Sequence, residues 1–208
     1  MLQQLPVAEY LEKAAAAEPT PGGGSVAALA GALGAAMGSM VAGYTVDRPA
    51  YAAVDADMRQ ALAAFDDARQ QLLAVVDEDA EAYAVIDRAY RLPKDTEARK
   101  TERSAAIRKA TAEGANPPAK AFRAALLALR ALPRVTEAGN KNLVSDAGVA
   151  ASLLAAALRA AYANALVNAH ALEDGEAFLA GMRDGLAEGE RLRDACWATM
   201  ERRLGFPH

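Results

Sequence analysis

Strand-forming side chains are scarce in this chain. Valine, isoleucine and threonine together number 21 of 208 residues, and aromatics make up 5%. A β-sheet needs such side chains to cover its pleated surface, so an all-β fold is excluded and a central parallel sheet is not expected. Cysteine is nearly absent. Cys196 stands alone and cannot form an internal disulfide, which fits a reducing, cytoplasmic setting. Beside Trp197 it reads as a small buried hydrophobe rather than a nucleophile. Histidine is equally rare: His170 and His208 are the only two, and neither joins a cluster with metal-ligand spacing. No metal site is therefore expected. Positive charge is short as well, with 23 Lys and Arg against 27 Asp and Glu and a net charge of −4. Nucleic-acid affinity comes largely from Lys and Arg neutralising phosphates, so that class of partner is excluded. The N-terminus lacks a basic segment followed by an apolar run, so no secretory signal is expected.

What is present is alanine, 55 residues of it, the best intrinsic helix former. Hydrophobic content of 53% with 24% charged residues excludes a largely disordered chain. A chain of this length buries roughly 70% of the surface it exposes when unfolded. The expectation is one all-α domain over residues 1–208, built as an array of about six helices.

Gly, Pro and capping residues divide the chain. A first helix is expected over 6–17. Pro19-Thr20-Pro21-Gly22-Gly23-Gly24-Ser25 then interrupts, with Ser25 placed to cap a second helix running to 46. Asp47 is placed to cap a third, with Pro49 in its first turn, and no Gly or Pro follows from Ala50 to Leu92. A fourth helix begins near Thr96 and should kink or split at Asn116-Pro117-Pro118. After a turn at Gly139–Asn142, Ser145 or Asp146 caps a fifth helix to 172, and a sixth occupies 173–204.

The third helix would be roughly 60 Å long at 1.5 Å per residue. A compact globule of 208 residues is only about 43 Å across. A helix that outgrows its domain must break, protrude or pack on another subunit, and an obligate oligomer is the expectation. The second helix raises a different question, because residues 19–46 carry no charge. Its Ala, Gly and Ser content contributes little to membrane insertion. Ala27, Gly31, Ala35, Gly38 and Ala42 share one face, which allows close backbone approach. A fully buried central helix is expected rather than a membrane span.

Three places depart from an ordinary helical core. Asp79 falls within an apolar stripe of Leu72, Val76, Tyr83, Ile86 and Tyr90, away from Glu78, Glu81 and Arg88. A partly desolvated carboxylate has a raised pKa suited to proton transfer; it equally suits a structural carboxylate paired with lysine or capping a neighbouring helix. Asp146, Asn164 and Asn168 lie on the inward side of the fifth helix. Buried amides need partners, and these either bond each other and backbone or read a polar ligand. Finally, Gly22-Gly23-Gly24-Ser25 at a helix start leaves N–H groups open to an anion or carbonyl, or simply makes a tight turn. It lacks the lysine of a phosphate loop and the preceding strand of a dinucleotide fold.

Taken in order, these segments resemble the cyclodeaminase/cyclohydrolase family, which includes the C-terminal domain of formiminotransferase-cyclodeaminase and stand-alone methenyltetrahydrofolate cyclohydrolases. The resemblance is carried by Pro19 through Ala28, Asp77-Glu-Asp79-Ala-Glu-Ala-Tyr83, and Tyr90-Arg-Leu-Pro93-Lys94. It continues in Gly139-Asn140-x-Asn142-x-x-Ser145-Asp146 and Asn164-x-x-x-Asn168, so that it covers about residues 7–200. Asn116-Pro117-Pro118 departs from the family's more aliphatic segment there.

The resemblance implies an all-helical homodimer with a tetrahydrofolate pocket between subunits. It implies Asp79 as the catalytic carboxyl, with Gly22, Gly23, Gly24, Ser25, Tyr83, Asn140, Asn142, Asp146, Asn164 and Asn168 as pocket candidates. Lys94 is a candidate for the carboxylates of the folate tail, or else a solvated charge after a helix end. No metal or redox cofactor is implied. The expected reaction closes 5-formiminotetrahydrofolate to 5,10-methenyltetrahydrofolate with loss of ammonia. The alternatives are hydrolysis of the methenyl bridge in the same pocket, a reading kept open by the lack of a formiminotransferase segment, and a folate-binding helical dimer without catalysis.

Overall fold

The computed structural model describes residues 1–206; His208 lies outside them. Seven α-helices carry the chain: α1 Val7–Ala15, α2 Gly23–Gly43, α3 Asp55–Tyr90, α4 Glu97–Glu113, α5 Asn116–Ala138, α6 Val144–Ala169 and α7 Gly175–Leu204. Short 3-10 turns at Leu2–Gln4, Pro49–Val54 and Lys141–Leu143 complete it, with no strand among the described residues. The composition that excluded a sheet thus yields an all-α fold.

The expected fourth helix splits rather than kinks. Pro117 and Pro118 occupy the first turn of α5, where a missing N–H costs nothing and the fixed φ already suits a helix. Thr96 caps α4 by accepting the Arg99 N–H at 3.2 Å.

Three expected caps are corrected. Ser25 is the third residue of α2 rather than its cap; Gly22 takes that position. Asp47 adopts φ 57° and donates its own N–H to Asp55, and the 3-10 turn from Pro49 precedes α3. Ser145 and Asp146 lie inside the first turn of α6, which already begins at Val144 with Leu143 at the cap position.

Helix α2 packs between α3 and α6 and also touches α5. Its small-residue face sets the spacing: a β-carbon at Gly31 would meet Leu72 of α3 and Ala157 of α6, and one at Gly38 would meet Phe65 at 2.8 Å. A β-carbon at Gly34 would meet Leu154. These pairings run in opposite sequence directions, so α2 is antiparallel to both neighbours. Ala27, Gly31, Ala35, Gly38 and Ala42 are all buried within the chain, so the close approach is made between its own helices. Phe65, Leu72, Leu129, Leu132, Leu154 and Leu158 fill the core around it.

Helix α2 is not fully buried, contrary to expectation. Val26 and Leu33 on its other face are exposed. Gly23–Gly43 and Lys141–Ala169 are each long and apolar enough to cross a membrane, and each has half of its apolar window buried inside the protein. Helix α3 runs unbroken for 36 residues, about 54 Å. Beyond Val76 it leaves the central core, and α4 packs against its end, where Ala89 of α3 and Ala110 and Thr111 of α4 are buried.

Candidate active site

Where the N-terminus of α2, the C-terminal third of α3 and the C-terminus of α6 meet, they enclose a cavity of about 390 Å³. Gly22, Gly23 and Gly24 form one wall. Asp79, Ala82, Tyr83, Ile86 and Tyr90 form a second from successive turns of α3. Asn164, Val167, Asn168 and His170 close the far side, and Thr111 and Gly114 cover the end.

The stripe on α3 explains this wall. Leu72 and Val76 are fully buried, whereas Tyr83 and Tyr90 are exposed. One helical face therefore serves the core in its first half and the cavity in its second, and Asp79 stands at the changeover. Burial pushes its carboxyl pKa up, and the Ser25 N–H and hydroxyl partly offset this. Oδ2 accepts the Ser25 backbone N–H at 2.9 Å and lies 3.4 Å from the Ser25 hydroxyl. That hydroxyl also donates to the Val76 carbonyl at 2.7 Å.

Asp79 thus caps α2 from a neighbouring helix, satisfying one of its open N–H groups, while Oδ1 remains for the cavity. The lysine pairing considered for Asp79 belongs to its neighbour: Lys120 binds Glu78 at 2.6 Å. With no cation paired to it among the described residues, desolvation governs Asp79.

The close fit depends on Gly24. A β-carbon there would stand 2.0 Å from Asp79 Oδ1. Gly23 faces Asn164 at an ordinary 3.5 Å. Both asparagines spend their amide donors on backbone. Asn164 Nδ2 donates to the Ala160 carbonyl at 2.9 Å, and Asn168 Nδ2 to the Gly114 carbonyl at 3.0 Å. Each is anchored through its amide nitrogen and keeps Oδ1 as an acceptor for a ligand, so the two alternatives read from the sequence combine.

Other candidates lie elsewhere. Asn140 and Asn142 form the turn between α5 and α6, where Asn140 accepts the Asn142 N–H and donates to the Tyr44 carbonyl. Tyr44 follows the C-terminus of α2, so this turn, and Asp146 just after it, sit about 30 Å from Gly23 along the helix. Lys94 is exposed beyond α3 and lines no part of the cavity.

The structure adds residues that spacing did not single out. His170 and Thr111 reach the cavity through tertiary packing alone. Tyr10 of α1 is buried with its hydroxyl unpartnered, and burial, reinforced by the charges of Asp79 and Asp77, pushes its pKa up to about 12. Cys196 is buried and its thiol is pushed up to about 11, consistent with a packing role. No cluster of metal-ligating side chains occurs among the described residues.

Fold and site together define an all-helical protein with a small-molecule cavity built around one desolvated carboxyl. The profile of the formiminotransferase-cyclodeaminase family matches residues 6–188. A methenyltetrahydrofolate cyclohydrolase from Methylorubrum extorquens is 35% identical over 198 residues, covering 94% of this chain and 95% of that protein. The rat formimidoyltransferase-cyclodeaminase is 34% identical over 165 residues, 79% of this chain but 30% of the larger protein. A crystal structure of formiminotetrahydrofolate cyclodeaminase from Thermotoga maritima superposes with a TM-score of 0.78 at 29% identity, covering 98% of each chain. This chain belongs to the formiminotransferase-cyclodeaminase family.

Proposed function

We propose that this protein is a tetrahydrofolate one-carbon enzyme that closes 5-formiminotetrahydrofolate to 5,10-methenyltetrahydrofolate and releases ammonia. The observation that carries the reading is Asp79, a carboxyl with a raised pKa held by Ser25 at the edge of the cavity. The reaction begins with the formimino group as an amidinium on N5. N10 attacks its carbon and forms the five-membered ring. The proton on N10 must then reach the former amidine nitrogen, and the C–N bond to ammonia breaks. A carboxyl whose pKa is raised by burial serves both transfers, and Asp79 Oδ1 is the atom assigned to them. The cavity's fixed geometry supplies the rest by holding N10 over the amidine carbon. Gly23 and Gly24 N–H groups and the Oδ1 atoms of Asn164 and Asn168 are the groups assigned to the pterin, with Tyr83 against its face. The scheme calls on no metal or redox cofactor.

A second reading keeps the pocket and changes the attacking group. The Methylorubrum extorquens relative matches over nearly its whole length, which favours hydrolysis of the methenyl bridge to 10-formyltetrahydrofolate. Asp79 would then take a proton from the attacking water; the bond from the carbon to N5 breaks, N5 is protonated, and one proton is released. Assays of the purified protein with both folates decide between these readings, and turnover of neither removes them both.

The same reading includes a homodimer. Val26 and Leu33 of α2 and Val149 of α6 are exposed on adjacent, antiparallel helices, and residues 19–46 carry no charge. A second copy covering this face would account for an apolar surface left uncovered by the chain's own core.

A further inference from the structure

The cavity at Asp79 does not end at Tyr90. Tyr90, Thr111 and His170 also line a second cleft of about 270 Å³, whose remaining wall includes Ser104 and Arg108 of α4. Ser104, Arg108 and Ala171 in turn belong to a groove of about 630 Å³ along α4, which Lys100 and Lys109 flank. Shared residues thus join the three into one path from the carboxyl to the surface of α4. Asp79 and Tyr90 are eleven positions apart on α3, a wall of about 16 Å.

Charge changes sign along this path. Asp79 is the one acid lining the inner cavity, and no acid lines the cleft or the groove among the described residues. Lys100 is engaged by Glu97 at 2.7 Å. Arg103 sits 5.6 Å over the Tyr90 ring and donates to the Tyr90 carbonyl, which fixes the junction. Arg108 and Lys109 are exposed and make no ion pair among the described residues. Two unengaged cations, Arg108 and Lys109, therefore line the outer groove with Ser104, which lies one helical turn before Arg108. Such a group recognises a carboxylate.

We propose that the α4 groove binds the carboxylates of the substrate's tail, with Arg108 as the specificity-determining residue and Ser104 and Lys109 assisting. The proposal rests on the tetrahydrofolate reading: the one-carbon centre lies at Asp79, and the aminobenzoyl-glutamate arm runs past Tyr90 and His170 to Arg108. Lys94, the cation suggested by spacing, lies outside this path.

The test compares a substrate carrying the glutamate with its pteroate counterpart lacking it. Arg108→Gln should raise KM for the glutamate substrate about 5–10-fold, with kcat falling less than twofold. It should leave KM for the pteroate substrate within twofold, and Arg108→Lys should recover part of the loss. An unchanged KM for the glutamate substrate, an equal rise for both substrates, or the same rise in Lys94→Gln would overturn the proposal. Turnover of neither substrate by the unmodified protein would overturn the tetrahydrofolate reading itself, and this proposal with it.

Discussion

Gly24 and Asp79 meet so closely that only hydrogen fits between them: a β-carbon on residue 24 would lie 2.0 Å from Oδ1 and 2.5 Å from Cγ. The contact joins the start of α2 to the C-terminal third of α3 and fixes the carboxyl at the cavity edge. It also gives the glycine run a specific purpose, since a β-carbon at Gly22 or Gly23 would meet nothing closer than 3.5 Å.

Gly24→Ala should therefore displace the carboxyl and lower kcat on the order of 10²-fold, the effect of misplacing a catalytic group by about 1 Å. The fold should survive. Alanine favours a helix over glycine by about 1 kcal/mol, which offsets part of an overpacking cost of about 1–3 kcal/mol. Circular dichroism and steady-state kinetics on the same preparation check both halves. Gly23→Ala, facing Asn164 at 3.5 Å, should cost far less activity.

Asp79 should exchange stability for function. Burial raises its pKa in the folded protein, so folding favours the protonated form. That contribution is complete below the unfolded-state pKa and is lost as pH rises through the folded-state value. An asparagine in its place stays neutral at every pH and still accepts the Ser25 N–H. Asp79→Asn should accordingly melt above the unmodified protein at neutral pH, with the gap closing on acidification. Paired melts from about pH 4 to pH 8, which begin near the ordinary carboxyl pKa and run above it, read this directly.

Ser25 modulates the same group. Its N–H and hydroxyl both lower the Asp79 pKa against the effect of burial. Ser25→Ala removes the hydroxyl and keeps the N–H, so the acid limb of the pH–rate profile should move to higher pH. Losing the bond to the Val76 carbonyl should cost about 1 kcal/mol of stability.

The uncovered α2–α6 face should respond to charge. Leu33 is 54% exposed, so Leu33→Asp should leave the isolated chain folded and shift a dimer to monomer in light scattering at micromolar concentration. An unchanged mass would remove the proposed interface.

The all-α class was legible because alanine abundance and the lack of β-branched residues act along the whole chain. The break at Pro117-Pro118 and the helix start near Thr96 were legible for a related reason: each follows a local rule. Ser25 was misplaced because Gly22, three residues earlier, could already take an extended conformation, and the serine was then free to bond Asp79 across helices. Asp79, Tyr83, Asn164 and Asn168 could be found from one helix face at a time. His170, Thr111 and the α4 groove could not, since they join the cavity only when α3, α4 and α6 pack. Asn140, Asn142 and Asp146 illustrate the converse. They stand out as polar residues near a turn, yet the antiparallel run of α2 and α6 puts them at the opposite end of the helix bundle from Asp79.

The most direct test of the account is turnover by Asp79→Asn on 5-formimino- and 5,10-methenyltetrahydrofolate, with folate binding measured in parallel. The account predicts turnover of at least one substrate by the unmodified protein. In the variant that rate should fall by roughly 10²–10⁴-fold, the range for loss of a general acid–base group, while binding is retained. Undiminished turnover in Asp79→Asn would contradict it.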